Sequence, residues 1–134
     1  GVFRASGGGE CWRQCPEVPP GGIGFGFAVA VDPLHGDTAW LIPGIKDEKR
    51  IPVDGKVVVV RTRDGGATWT VLRDGLPQQD AYDLVWRHAL DIAGDGRWLA
   101  FGSTTGALWL SRDGGERWTE LTAHLPPISA VRWA

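Results

Sequence analysis

The feature that most constrains this 134-residue chain is an octapeptide, Ser111-Arg112-Asp113-Gly114-Gly115-Glu116-Arg117-Trp118, that has a near-copy upstream. Thr62-Arg63-Asp64-Gly65-Gly66-Ala67-Thr68-Trp69 carries a hydroxyl, an Asp, a Gly-Gly pair and a Trp at the same offsets. A worn third copy places Ala5, Gly7, Gly8, Gly9 and Trp12 at the matching positions, with hydroxyl and carboxylate lost. The closing tryptophans lie 57 residues apart (Trp12 to Trp69) and then 49 apart (Trp69 to Trp118). Recurrence at this period marks a repeat architecture, in which each unit buries its apolar face by stacking on the next.

The segments between the octapeptides read as short strands. Residues 27–31 form an apolar run suited to a strand buried on both faces, and 38–42 follow after a turn. Residues 56–62 contain Val57, Val58, Val59 and Val60, a β-branched run that favours strand strongly. Strands are predicted again at 68–72, 84–92, 97–102, 107–110 and 117–121, with a last one at 128–133. Asp-Gly pairs at Asp64-Gly65, Asp95-Gly96 and Asp113-Gly114 suit tight hairpins, because both residues tolerate positive φ. Residues 16–26 are dense in Pro and Gly and read as a connector. No segment of ten or more residues keeps a helical apolar period, so the chain is read as all-β. Four strands per unit, joined by hairpins and longer connectors, is the layout of a propeller blade.

The pattern hydroxyl-x-Asp-x-Gly-x-x-Trp resembles the Asp-box of bacterial neuraminidase repeat (BNR) proteins. These include sialidases, xyloglucan-cleaving glycosidases, sortilin-type receptors and a photosystem-assembly factor. Over residues 47–92, 102–118 and 125–134 the chain resembles bacterial BNR-repeat glycosyl hydrolases and exo-sialidase-like proteins. That resemblance implies a β-propeller of four-stranded antiparallel blades, here an incomplete ring of about two and a half. Residues 1–20 would end one blade, 21–75 and 76–123 would form two more, and 124–134 would begin a closing strand. A four-bladed ring needs roughly 160 residues, and the chain has no Met. The expectation is therefore a C-terminal part of a longer propeller, with self-association through open strand edges as the competing arrangement.

The box residues are expected to do structural work. Asp64 and Asp113 can accept turn N–H groups, and Thr62 and Ser111 add a hydroxyl. Gly66 and Gly115 take backbone conformations closed to other residues. Trp69 and Trp118 bury ring area between sheets, each indole N–H seeking an acceptor. In a propeller these turns lie on the face opposite the substrate, so any site belongs on the connector face, at residues 43–55, 76–83 and 103–106.

On that face Asp83, Glu48 and Tyr82 are the candidate catalytic residues, with Asp47 and Asp80 as further acids. Arg87, His88 and Arg50 are the candidate ligand contacts, since a guanidinium fork can clamp a sugar carboxylate. The sialidase pattern that the resemblance implies is an arginine triad, a Tyr–Glu nucleophile pair and an Asp acid/base. Here Tyr82 is the only tyrosine, and no Phe-Arg-Ile-Pro motif is present. Two separated carboxylates would suffice for another glycosidase. Among eight tryptophans, Trp40, Trp98 and Trp109 are expected in the core, while Trp86 and Trp133 are the two considered for a ligand.

A formal charge of −2 gives no reason to expect a nucleic-acid partner. The longest charge-free stretch, 18–31, is broken by Pro and Gly and too short to span a bilayer, so no membrane partner is expected either. Cys11 and Cys15 are expected as unpaired thiols. His35, His88 and His124 lack metal-ligand spacing. No metal or cofactor is therefore expected, and carbohydrate or a protein remains as partner. The primary reading is a non-catalytic binding scaffold; the alternative is part of a sialidase-like glycoside hydrolase.

Overall fold

The computed structural model describes residues 1–16, 18–21 and 25–134. Regular structure among them is strand, apart from two single 3-10 turns at Gly7–Gly9 and Val53–Gly55. A hairpin pairs β1 (Phe3–Ser6) with β2 (Cys11–Gln14). The second sheet runs β3 (Gly26–Val31), β4 (Ala39–Pro43), β5 (Val59–Thr62) and β6 (Thr70–Leu72). The third runs β7 (Leu90–Ile92), β8 (Leu99–Gly102), β9 (Leu108–Ser111) and β10 (Thr119–Thr122). Every ladder is antiparallel and each strand pairs with its neighbour in sequence. The chain is thus all-β, with three antiparallel sheets. Glu17 and residues 22–24 of the predicted 16–26 connector lie outside the described residues.

Period-2 alternation sends the valines of one run to opposite faces. Val57 and Val59 join a core with Ala28, Ala30, Trp40 and Leu72, facing Leu90, Leu99, Phe101, Trp109 and Trp118 of the third sheet. Val58 and Val60 join Val18 and Leu41 on the other face, towards Val2 and Trp69. Phe101 stacks on Trp109 and meets Trp118 edge-on, each with ring centroids 4.9 Å apart. The second and third sheets meet along β3 and β7.

Several strands are shorter than their sequence implies, and the reason lies in where backbone groups bond. β5 begins only at Val59: its ladder with β4 ends at the pair Leu41–Val60, and Val57 N–H donates instead to Pro77 O of the connector. Residues 84–89 are not strand. Leu84 exchanges bonds with Thr104, and Ala89 N–H closes a turn onto Trp86 O. Residues 128–133 form no regular strand either. They make one parallel bridge, Ala130 with His88, while Trp133 N–H is taken by the Asp91 carboxylate. The run 27–31 is buried on one face only: Ala28 and Ala30 join the core, while Val29 and Val31, on the alternate face, are 58% and 52% exposed. Cys11 and Cys15 are both free thiols.

Candidate functional site

The two intact octapeptides fold alike. In the first, Thr62 Oγ1 accepts from Gly66 N–H at 2.8 Å and donates to Asp64 Oδ1 at 2.8 Å. Asp64 then accepts the Thr68 N–H and hydroxyl at 2.9 and 2.6 Å. In the second, Ser111 Oγ accepts from Gly115 N–H at 2.9 Å and donates to Asp113 Oδ1 at 2.8 Å, and Asp113 accepts from Arg117 N–H at 3.0 Å. The Thr68 hydroxyl, then the Thr68 amide and Thr62, hold Asp64 at about 2. Burial pushes Asp113 up, but the N–H of Arg117 and the Ser111 hydroxyl outweigh it and hold the carboxyl below 3.8. Burial likewise opposes the bonds from Leu34 and His35 at Asp32, which also ends below 3.8. All three are ionised turn acceptors with their lone pairs engaged. The worn turn at Gly7–Gly9 has no side-chain acceptor, and Trp12 Nε1 donates to Gly9 O.

These turns stand at one end of the sheets. Gly65 N–H donates to Asp37 O of the β3–β4 turn, and Gly114 N–H to Arg97 O of the β7–β8 turn. Trp118 is buried and Trp69 half-buried, as ring packing requires. The Nε1 groups of Trp69, Trp109 and Trp118 find no acceptor among the described residues. Burying a large ring outweighs the roughly 1–3 kcal/mol of one unmade hydrogen bond.

The opposite end carries the 44–58 loop, the 73–89 connector and the 103–107 loop. Backbone bonds tie them together: Ala81 N–H to Gly55 O, Val57 N–H to Pro77 O and Thr104 N–H to Leu84 O. The Gln78 amide adds a bond to Val57 O at 2.8 Å. On this support sits an aromatic and cationic cluster. Phe25 and Phe27 meet edge-on at 4.9 Å, and Phe27 meets Trp86 at 5.3 Å. The Arg50 guanidinium lies 5.4 Å from the Phe27 ring centre and 5.8 Å from that of Trp86. Asp47 fixes it, accepting on its backbone carbonyl at 2.9 Å and its carboxylate at 2.8 Å. All four cluster side chains remain partly open to solvent. Such a surface offers π faces and unsatisfied guanidinium N–H groups side by side.

The candidate residues of the connector face fall into three groups. Arg50, Asp47 and Trp86 meet in this cluster. Asp83 is half-buried and accepts from the hydroxyls of Ser103, at 2.9 Å, and Thr105. Ser103, fully buried, in turn accepts from Thr105 N–H and Ala107 N–H. This is the octapeptide's hydroxyl–carboxylate bonding pattern rebuilt with an Asp twenty residues upstream. Glu48 is 79% exposed and stands 3.9 Å from Lys46. Tyr82 is 68% exposed, and Asp80 holds a left-handed backbone at φ 48°. No hydrogen bond or ion pair among the described residues joins Asp83, Glu48 and Tyr82. Arg87 is exposed, with no ion-pair partner among the described residues. His88 is also exposed, with Arg132 donating to its Nδ1 at 3.3 Å and to its carbonyl at 3.1 Å. Trp133 packs edge-on against Trp98 at 6.2 Å, which is half-buried rather than core. Trp40 and Trp109 are in the core as expected.

Sequence reasoning missed Phe25 and Phe27, the first placed in a connector and the second in a buried strand. Their Phe-Gly-Phe spacing at a strand start was the available signal. No group of three or more His, Cys, Asp or Glu capable of holding a metal ion occurs among the described residues. Among the described residues no helix is long and apolar enough to cross a membrane.

No protein-family model matches the chain, and no curated protein matches it. Among solved structures, it is similar to a GH74 enzyme of Niastella koreensis, with a TM-score of 0.54 and 20% sequence identity. The match covers 77% of this chain and 15% of that enzyme, so the chain spans a small part of its length. The likeness is one of β fold.

Proposed function

We propose that the chain is part of an Asp-box (BNR) β-propeller and works as a binding module for carbohydrate through its connector end. The propeller reading is supported by two four-stranded meanders stacked through β3 and β7, by the two stapled octapeptide turns, and by the β-fold likeness to the GH74 enzyme. The observation that carries the ligand reading is the Phe27–Trp86–Arg50 cluster. The apolar face of a sugar ring stacks on an open aromatic, and a fixed guanidinium bonds its hydroxyl or carboxylate oxygens. Titration calorimetry against neutral and uronic oligosaccharides tests this. Trp86→Ala and Arg50→Ala should each weaken binding about tenfold or more while leaving the circular dichroism unchanged. Binding that both variants retain at full strength would refute the assignment.

A second reading, part of a glycoside hydrolase, draws support from the likeness to the GH74 enzyme and from the carboxylates Asp47, Glu48, Asp80 and Asp83 around the same end. Glycosidases need two carboxyl groups about 5–9.5 Å apart across the bond they cleave. Turnover of chromogenic glycosides that Asp83→Asn or Glu48→Gln abolishes would favour it over the binding module.

A further inference from the structure

Two arginines at opposite ends of the second sheet are bonded in different ways. At the turn end Arg61, 6% exposed, donates to Gly114 O at 3.0 Å, beside Trp40 Nε1 at 2.9 Å, and pairs with Glu116 at 2.7 Å. It belongs to the fold. At the connector end the hydrogen bonds of Arg50 go, among the described residues, to Asp47 alone.

The loop that carries Arg50 is a miniature hairpin. Lys46 and Lys49 form an antiparallel bridge around Asp47 and Glu48, and Ile45 N–H donates to Ile51 O at 3.0 Å. Arg50 closes it from the side, with Nε on Asp47 O and Nη2 on Asp47 Oδ1. One edge of the guanidinium fork is thereby engaged. Its other N–H groups, and Asp47 Oδ2, have no hydrogen-bond partner among the described residues. The two side chains are 48% and 62% exposed. Free donors and a charged acceptor thus stand side by side at the edge of the Phe27 and Trp86 rings. The local charges cancel in pairs: Asp47 neutralises Arg50, and Lys46 faces Glu48 at 3.9 Å. Lys49 and Arg87 are exposed, and among the described residues neither lies over those rings or bonds to Arg50 or Asp47.

A lone guanidinium would favour a sugar carboxylate. This one is already paired. We infer that Asp47 is a specificity-determining residue of the connector-end site: it makes the Phe27–Trp86–Arg50 surface select uncharged sugars and turn uronates away. The inference rests on the carbohydrate reading above and names the class of sugar. A hydroxyl both accepts and donates, so neighbouring ring hydroxyls satisfy the free Arg50 N–H groups and Asp47 Oδ2 together. A carboxylate only accepts. Set against Arg50, it would stand beside the Asp47 charge and leave Oδ2 without a donor. Discrimination comes from that repulsion as well as from the bonds made to the preferred ligand.

Titration calorimetry of the 134-residue protein with matched oligosaccharide pairs tests this. The probes are gluco- and manno-oligosaccharides and their uronate counterparts, which differ only in a carboxylate in place of the primary alcohol. The wild type should bind the neutral member of a pair more tightly, by about fivefold or more, with little change on adding salt. Asp47→Asn keeps an acceptor for Arg50 but removes the charge. The uronate should then gain about fivefold or more relative to its neutral partner, and the gain should shrink as salt is raised. Circular dichroism checks that the exposed substitution keeps the fold. A wild type that prefers uronates, a ratio that Asp47→Asn leaves unchanged, or an equal loss of both members would overturn the inference while the carbohydrate reading stands. Binding of neither member to the wild type would instead refute the carbohydrate reading, and this inference with it.

Discussion

Replacing Ser111 by Ala isolates what the octapeptide hydroxyl does. Ser111 is 1% exposed; its Oγ accepts from Gly115 N–H and donates to Asp113 Oδ1. Ala leaves a buried N–H with no acceptor, a loss of about 1–3 kcal/mol. It also removes one of the bonds that hold the Asp113 carboxyl below 3.8. A folded pKa below the unfolded value gives stability that is present above the unfolded pKa and lost as pH falls through the folded one. Losing the Ser111 bond moves the folded value up, so this part of the mutational loss is present at neutral pH and fades in acid. The amide part does not titrate. Urea unfolding of the wild type and Ser111→Ala at pH 7 and at several lower values should therefore show a difference of about 1–3 kcal/mol that narrows, without vanishing, as the carboxyl protonates. Ser111→Thr, the residue type found at the matching Thr62, should recover most of it. A difference under about 0.5 kcal/mol at pH 7, the range of an ordinary surface change, or one that widens in acid, would refute the reasoning.

Asp64, held at about 2, should titrate near that value in a carboxyl NMR experiment, and its stabilising contribution should disappear between 3.8 and about 2 as pH falls. A midpoint at the ordinary 3.8 would contradict the bonding from Thr68 and Thr62. Gly106 has φ +90° and its missing Cβ would stand against the Leu125 carbonyl. Gly106→Ala should accordingly lower stability by more than about 1 kcal/mol, seen as a fall in the melting temperature; an unchanged melt would show that the loop yields freely.

The octapeptide turns were legible because hydroxyl, carboxylate and donors fall within eight residues, so one sequence window contains the whole network. The Ser103 turn uses the same chemistry but takes its carboxylate from Asp83, and no local window joins them. Val57 and Val58 have the composition of strand, yet the β4–β5 ladder stops at Leu41–Val60 and Val57 N–H bonds to Pro77 O of a distant connector. The strand predicted at 38–42 was legible and is observed at Ala39–Pro43; that Trp40 would reach Gly114 was not, since the contact depends on how two sheets stack. Arg4 and Arg61 sit directly before Ala5 and Thr62 of the repeat, a sequence echo whose meaning appears only once the guanidinium is seen at the next turn. The candidate acids were placed on loops correctly, but Asp83 is bound into a turn and Glu48 stands in solvent. Loop residues lack the periodicity that would have separated these roles.

At the turn end Trp40 and Arg61 both donate to Gly114 O, which adds to the apolar core that the second and third sheets share, so the stack does not depend on the length of the loops at the far end. The β4–β5 loop spans residues 44–58, whereas its counterpart between β8 and β9 spans only 103–107. Lengthening a surface loop costs little, about 0.6 kcal/mol per doubling. The fold thereby separates what must be conserved in shape from what can be freely elaborated: insertions at the far end can remodel a surface without loosening the stack, while a single added residue in the octapeptide would pull the shared carbonyl out of reach.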